Sequence, residues 1–448
     1  MKTFLGRSLF SRLILFFSLT MPVLTLFSQE SGTLPFPIHH YTLQNGLEVI
    51  LSEDHSLPIV SVVVGYKVGS VYEAPGKAGL SYLLENLMFQ GSKNVGRMQH
   101  FSFINRTGGR LSGYTTEDKT IFYQTIPSNR LELAFWLESD RMLSLDIKEY
   151  KVEQAKQTLI EEISQRKQRD PYLESSLAFD ELIYQKFPQS HPVFGYETDL
   201  KKISVDDVRN FYTTYYVPNN AVLCITGFFE RNKTIELVQK YFGSIPPGKS
   251  AAPSLEPDMP PLEPSSNMLE KSFVPSPGFH LGYRIPPPHS PEFYPIKIIE
   301  YLLVKGKSSR IFDCLQKKER IAVQWTGYID IRDGLASLKF FVLNSNDILA
   351  EKSLKAISSS LTDLKSDIFL VEEEINKAKN MFRSDYLNQF SSSLNKALFL
   401  SESFLYRRSL DHLPGELDKF TNVTPYEILR MLNRYLMDKG IVLRIQQR

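Results

Sequence analysis

Hydrophobic and polar positions alternate in two distinct ways along this chain. In the first half, Leu47–Ser52 and Val60–Val68 are β-branched runs that predict strands, and Lys119–Thr125 (KTIFYQT) and Ala221–Gly227 (AVLCITG) predict two more. Gly79–Phe89 places Leu80, Leu83, Leu84 and Leu87 at helical spacing, and Leu131–Leu143 and Lys148–Arg169 also read as helices. The second half repeats the mixture. Gly278–Ile285 reads as a strand, Tyr294–Val304 and Arg310–Lys318 as helices, and Ala322–Ile331 with Ala336–Leu343 as a strand pair. Long amphipathic helices and a last strand, Ile441–Ile445, follow. Strands and helices mixed without strict β-α-β alternation predict an α+β fold. The halves share a weak order of elements that hints at duplication.

Between the halves, residues 245–266 hold seven of the chain's 26 prolines. Such a stretch suits neither a helix interior nor a central strand, so 246–270 reads as a linker. It separates an N-terminal domain, 35–245, from a C-terminal domain, 271–448. Ahead of both, Lys2, Arg7 and Arg12 precede an apolar run from Leu13 to Phe27, with no acidic residue before Glu30. That is the pattern of an export signal, 1–28, and the run is short for a membrane span, which needs about 20 residues. The expectation is a chain exported to the periplasm or another extracytoplasmic space, without a stable membrane span once the signal is cleaved. Retention of the segment as an anchor is the alternative.

Composition narrows the function. The full chain has 448 residues with 52 basic and 50 acidic side chains, and 42% are hydrophobic. This balance gives no electrostatic footprint for nucleic acid. The two cysteines, Cys224 and Cys314, lie too far apart along the chain to form a Cys-x-x-Cys site. Gly243–Ser250 (GSIPPGKS) spells a nucleotide P-loop, but Pro246 and Pro247 lack the N–H groups that cradle phosphates.

The informative segment is GLSYLLENLMFQG, residues 79–91. Opposite the leucine stripe, Tyr82, Glu85, Asn86 and Phe89 share one helix face. Here the chain resembles the pitrilysin/insulinase family of zinc metallopeptidases, the inverzincins, in its two-domain bacterial and mitochondrial-processing-peptidase-like branch. The active helix of that family carries two His ligands four apart with a Glu base before the second. This chain has Tyr82 and Asn86 at the ligand positions and Glu85 at the base position. LIEEISQRKQRDPY, 159–172, resembles the stretch with the third ligand, placed at Glu162; Ala155 stands where the family has a further Glu. GGRLSGYTTEDKTIFY, 108–123, resembles the strand on which substrate is added as an extra strand, with Ser112 where the family has Asn. KGKSSRIFDCLQKKERIAV, 305–323, resembles a second-domain segment with a substrate-gripping Arg and Tyr, here Gln316 and Val323.

The resemblance implies two similar α/β-sandwich-type domains, each a mixed sheet with helices packed on it, forming a half-shell. It also implies a degenerate member. Catalytic zinc takes three protein ligands and an open position for water. A phenol with a pKa of about 10 and a neutral amide replace two imidazoles poorly. Without metal, water keeps its bulk acidity and Glu85 has no activated nucleophile to deprotonate. A carboxylate on a polar helix face is more often solvated or Arg-paired than catalytic.

Three readings stay open. The leading one is an exported, catalytically inactive homologue without cofactor. It would act as partner subunit to an active relative or to a second copy, or as a scaffold for unfolded peptide. The others are a metalloendopeptidase using non-standard ligands, the only reading that needs zinc, and a structural core subunit of a larger complex.

Overall fold

The computed structural model describes residues 34, 36–185, 188, 190–249, 263–271, 274–332, 334–369 and 371–447. The expected export signal lies outside them. Among the described residues no helix is long and apolar enough to cross a membrane.

Two mixed sheets organise the chain. The first contains β1 (His39–Thr42), β2 (Glu48–Glu53), β3 (Ile59–Tyr66), β4 (Arg110–Thr115), β5 (Thr120–Pro127) and β6 (Ala221–Gly227), in the order β1-β2-β6-β3-β5-β4. The second contains β7 (Ser265–Lys271), β8 (Gly278–Ile285), β9 (Ala322–Arg332), β10 (Leu335–Asn344) and β11 (Ile441–Gln447), in the order β7-β11-β8-β10-β9. Without β1, the two are identical strand for strand. β2 runs parallel to β6 as β7 does to β11, and every other neighbouring pair is antiparallel. The duplication hinted at by element order is therefore explicit in the topology.

The structure corrects the sequence analysis in three places. Ser265–Lys271, assigned to the 246–270 linker, forms β7. Its polar SSNMLEK has no strand pattern, and pairing with β11 at the sheet edge supplies the order. The stretch 108–123 is a hairpin, with β4 as the outer strand and the turn at Thr116–Lys119. Arg310–Lys318 is a single α turn, Arg310–Phe312, followed by π-helix over Asp313–Lys318.

All seven residues of β6, and all of β3 except Ile59, are buried. A strand buried on both faces reads as a continuous apolar run, and it needs two covering layers. One layer is local. Helices α1 (Leu80–Leu87), α2 (Gln99–Arg106), α3 (Leu131–Leu143) and α4 (Glu149–Arg169) contribute Leu83, Ile104, Phe135 and Leu159 to the core under Val62 and Val64. The other layer comes from the second half. Ala397, Leu400 and Phe404 of helix Ser393–Arg407 pack on Ile50, Val63, Ile121 and Cys224. The exchange is reciprocal, because α5 (Leu173–Tyr184) sets Phe179 and Ile183 against Ile441 and Leu443 of β11. Each central strand has a glycine at the crossing. A Cβ on Gly65 would stand 2.8 Å from Leu405, and one on Gly282 would stand 2.3 Å from Ile183.

Where α5 meets the second sheet, a charged cluster is sealed in. Arg332, 2% exposed, reaches Asp180 of α5 at 2.7 Å, Asp330 at 3.2 Å and Glu117 of the β4–β5 turn at 3.4 Å. Lys339 adds a 2.6 Å contact to Asp180, and the Tyr184 hydroxyl donates to Asp330 at 2.8 Å. The guanidinium lies 3.8 Å from the Tyr184 ring centre. Burial works against the Asp330 carboxylate, yet the Arg332 and Lys339 cations prevail and hold it down at about 2.

Removing one member of a buried ion cluster leaves the others unpaired, which costs about 3–5 kcal/mol. Arg332→Ala should therefore lower the urea midpoint of the intact chain by the equivalent of about 3 kcal/mol or more. A change within error would mean that water solvates the orphaned carboxylates.

Candidate active site and its degenerate metal position

The face that carries the candidate residues is set by how α1 begins. Gly79 precedes it at φ +98°, and a Cβ there would stand 2.9 Å from the Phe194 carbonyl oxygen. The buried Glu73 carboxylate accepts the backbone N–H groups of Gly79 at 2.7 Å and Ser81 at 2.6 Å. Burial pushes Glu73 up to about 8, against the pull of those two donors. Buried His191 stands beside it, with Nε2 3.7 Å from the carboxylate and 3.0 Å from the Ser70 carbonyl. With this end fixed, Leu80, Leu83, Leu84 and Leu87 turn into the core. Tyr82, Glu85 and Asn86 are left on the half-buried face.

The structure brings these three together with Glu162 of α4. The Tyr82 hydroxyl donates to both Glu162 carboxylate oxygens, at 3.0 and 3.3 Å. Arg166, one turn further along α4, closes on the same carboxylate at 2.7 Å. Its guanidinium lies 5.2 Å from the centre of the Phe194 ring. Burial, with Glu162 adding to it, pushes the Tyr82 phenol up to about 12, so it is a neutral donor near neutral pH. Asn86 turns its amide N–H back to the Tyr82 carbonyl at 3.0 Å, a bond within the helix.

Glu85 is half-buried and has no Arg partner among the described residues. Thr115 of β4 hydrogen-bonds its carboxyl, and one carboxyl oxygen, Oε2, is buried with no hydrogen-bond partner. Burial raises its pKa, Thr115 opposes this, and the nearby Glu162 charge adds to the rise. A carboxyl that keeps its proton above the usual range is what a general acid or base needs.

Ser112 is exposed on edge strand β4, beside this face. Gln316 is half-buried in the π-helical segment and Val323 is exposed at the start of β9, both in the second half. Three residues of the site went unread in the sequence. Arg166 had a readable signal, since it stands four residues after Glu162 on a helix. Thr115 lies in the quoted stretch 108–123, but only the register of β4 brings it to Glu85. Glu73 carries no local signal at all.

These residues do not fit zinc. Tyr82 spends its hydroxyl on Glu162, Glu162 is occupied by Arg166, and Asn86 offers one amide oxygen. A zinc site takes three strong donors. Among the described residues no three His, Cys, Asp or Glu side chains come together so as to hold a metal ion.

The second half repeats the same bond. Tyr301, on helix Phe293–Leu303, donates to Asp385 of helix Glu372–Asn388 at 2.7 Å. Each tyrosine lies 16 residues beyond the end of the central strand of its sheet, Tyr66 to Tyr82 and Ile285 to Tyr301. Both halves thus tie two helices together through a tyrosine hydroxyl and a carboxylate.

The fold and this altered helix define a two-domain peptidase-type scaffold, and comparison with known proteins agrees. A model described as Insulinase (Peptidase family M16) matches residues 48–193, and one described as Peptidase M16 inactive domain matches 202–382. The chain belongs to the M16 peptidase family. It is 26% identical over 405 residues to the zinc protease PqqE of Helicobacter pylori, covering 89% of this chain and 90% of that one. It is 29% identical over 222 residues to human cytochrome b-c1 complex subunit 1, covering 48% of this chain and 45% of that one. The crystal structure of a protease from Helicobacter pylori superimposes with a TM-score of 0.86 at 25% identity, covering 92% of this chain and all of that one.

Two outcomes follow from the geometry. Tyr82→Phe removes a hydrogen bond to a carboxylate and should cost about 1–2 kcal/mol in denaturant unfolding. A carboxyl that holds its proton more tightly folded than unfolded stabilises the fold in acid, and that contribution is lost as pH rises through its raised value. Glu85→Gln is neutral throughout, so its stability relative to wild type should rise as pH is taken from about 4 to about 8. A parallel pair of stability–pH curves would show that Glu85 does not titrate abnormally.

Proposed function

We propose that this chain is an exported, catalytically inactive M16 homologue that acts as a partner subunit or peptide-binding scaffold. The observation that carries the reading is the chain Asn86–Tyr82–Glu162–Arg166 at the expected metal position, where the Tyr82 hydroxyl, the Glu162 carboxylate and the Asn86 amide N–H are each already held by a protein group. The scaffold around it includes the edge strand β4, whose outer side has no neighbouring strand among the described residues. An unpaired edge is the feature by which an extended peptide is taken up through main-chain hydrogen bonds. A partner role gains support from a relative named as a subunit of the cytochrome b-c1 complex. The same relative keeps the purely structural role in a larger complex in play. Export rests on the basic-then-apolar start of the chain, Lys2 to Phe27. No cofactor belongs to this reading.

One observation favours the metalloendopeptidase reading. Glu85 is retained at the base position with a raised pKa and a carboxyl oxygen that no protein group satisfies. That reading requires a metal held by Tyr82, Asn86 or Glu162, displacing Arg166.

Metal content separates the two. The mature chain, dialysed against micromolar zinc, should retain almost none by elemental analysis, and it should co-purify from native extract with a family relative or a second copy. The variant Tyr82→His/Asn86→His restores two imidazoles four apart on a helix beside Glu162, and it should retain about one zinc per chain. Zinc held by the wild type and lost on Glu162→Ala would replace the proposal with the metalloendopeptidase reading.

A further inference from the structure

Away from α1, the second half contains a cavity of about 690 Å³ that the proposed function does not use. It lies where the end of helix Glu372–Asn388, helix Ser393–Arg407, helix Glu416–Thr421 and the start of helix Phe293–Leu303 converge. Duplication explains why it exists. In the first half, α1 starts 14 residues after β3, and the intervening loop brings Glu73 against His191. In the second half the equivalent helix starts only 8 residues after β8, with no counterpart of that packed loop. His412, which follows its crossing helix as His191 follows α5, lines the open space instead.

Four phenylalanines, Phe293, Phe382, Phe399 and Phe420, line the space among polar and charged side chains. Its cations are paired. Arg407 reaches Glu416 at 3.4 Å and the Pro288 carbonyl at 2.8 Å, Lys119 and Glu402 are 3.8 Å apart, and Lys297 reaches Glu300 at 2.6 Å, while Asp385 accepts from the Tyr301 hydroxyl. Two neutral groups are not settled. The Tyr386 hydroxyl, on a side chain only 6% exposed, lies beside the Glu416 carboxyl without a hydrogen bond of good geometry, and buried Nδ1 of His412 is likewise left near the Ser409 backbone without one. Burial and the Arg407 charge hold the His412 imidazole down at about 4, so it is uncharged near neutral pH. Buried polar atoms without partners cost free energy until something satisfies them. A few convergent polar groups in an apolar space of 300–1,000 Å³ are the ordinary make-up of a small-molecule site.

We propose that this cavity binds an uncharged molecule with an aromatic or branched apolar body and one amide-like head, the head pairing with the Tyr386 hydroxyl and His412 Nδ1. An anionic head is disfavoured because the lining cations are already paired, and burying an unpaired ion is costly. The site is independent of the degenerate metal position and does not rest on the proposed function.

The test uses the full mature chain and three probes: N-acetyl-phenylalaninamide, N-acetyl-leucinamide and the free acid N-acetyl-phenylalanine. Binding is read by saturation-transfer NMR and by titration. The amides should bind and the acid should bind more weakly. Tyr386→Phe, which keeps the ring, should weaken the amides about fivefold, the net worth of one hydrogen bond. Ser403→Trp, which fills the cavity from its wall, should abolish binding, and an unchanged circular dichroism spectrum would show that the variant is folded. Absence of saturation transfer from both amides, preference for the acid, or binding that survives Tyr386→Phe unweakened would overturn the assignment. Should Ser403→Trp misfold, Tyr386→Phe still decides.

Discussion

Everything in this molecule depends on one shortage: neither sheet can cover itself. β3 and β6 are apolar on both faces, but the helices of their own half cover only one. The second cover is borrowed, Ser393–Arg407 for the first sheet and α5 for the second. The exchange determines where glycine must stand, at Gly65 and Gly282, because a crossing helix leaves no room for a Cβ. It also determines where charge can be buried. Asp180 and Tyr184 travel with α5 into the second sheet, and only their arrival makes Arg332 and Lys339 tolerable there. Through Glu117 the same cluster holds the β4–β5 turn. Two carbonyls of that turn accept N–H groups from Ser70 and Val71, just ahead of Glu73 and α1. The seam between halves and the candidate site are thus joined by short, continuous contacts.

Within that frame hydrogen bonds hold the site together. Glu162 is met by the Arg166 guanidinium, and the Tyr82 hydroxyl ties α1 to α4. The second half has the same kind of tie, where Tyr301 joins its helix to Asp385. Glu85 stands outside this network, since its contact is to β4.

Much of the fold could be read from the chain because its central strands are buried on both sides. Ala221–Gly227 is an almost wholly apolar run and Gly278–Ile285 a mostly hydrophobic one, and their observed limits match the reading. The leucine stripe of α1 was equally plain. The edges were not. β1 and β7 are polar segments whose order comes from a neighbouring strand, and β4 merged with β5 because a short, half-exposed edge strand carries little pattern. At the site, the meeting of Tyr82 with Glu162 followed from the resemblance, since family spacing places both at one metal. The burial of Glu85 did not. It depends on Thr115 arriving from β4 and on the depth of the face, and neither is a property of the helix alone. The aromatic cavity was also hidden, because its walls come from four helices scattered over more than a hundred residues.

The exchange of helices has a temporal side. During synthesis β2, β3, β5 and β6 exist long before residue 393, so Ile50, Val63, Ile121 and Cys224 must wait uncovered for a helix near the end of the chain. Pairings so distant in sequence are slow to form, and apolar strands left bare meanwhile invite aggregation. The first half is therefore not a folding unit that completes itself as it emerges. The second cover of the first sheet is added only once the chain beyond residue 393 has been made.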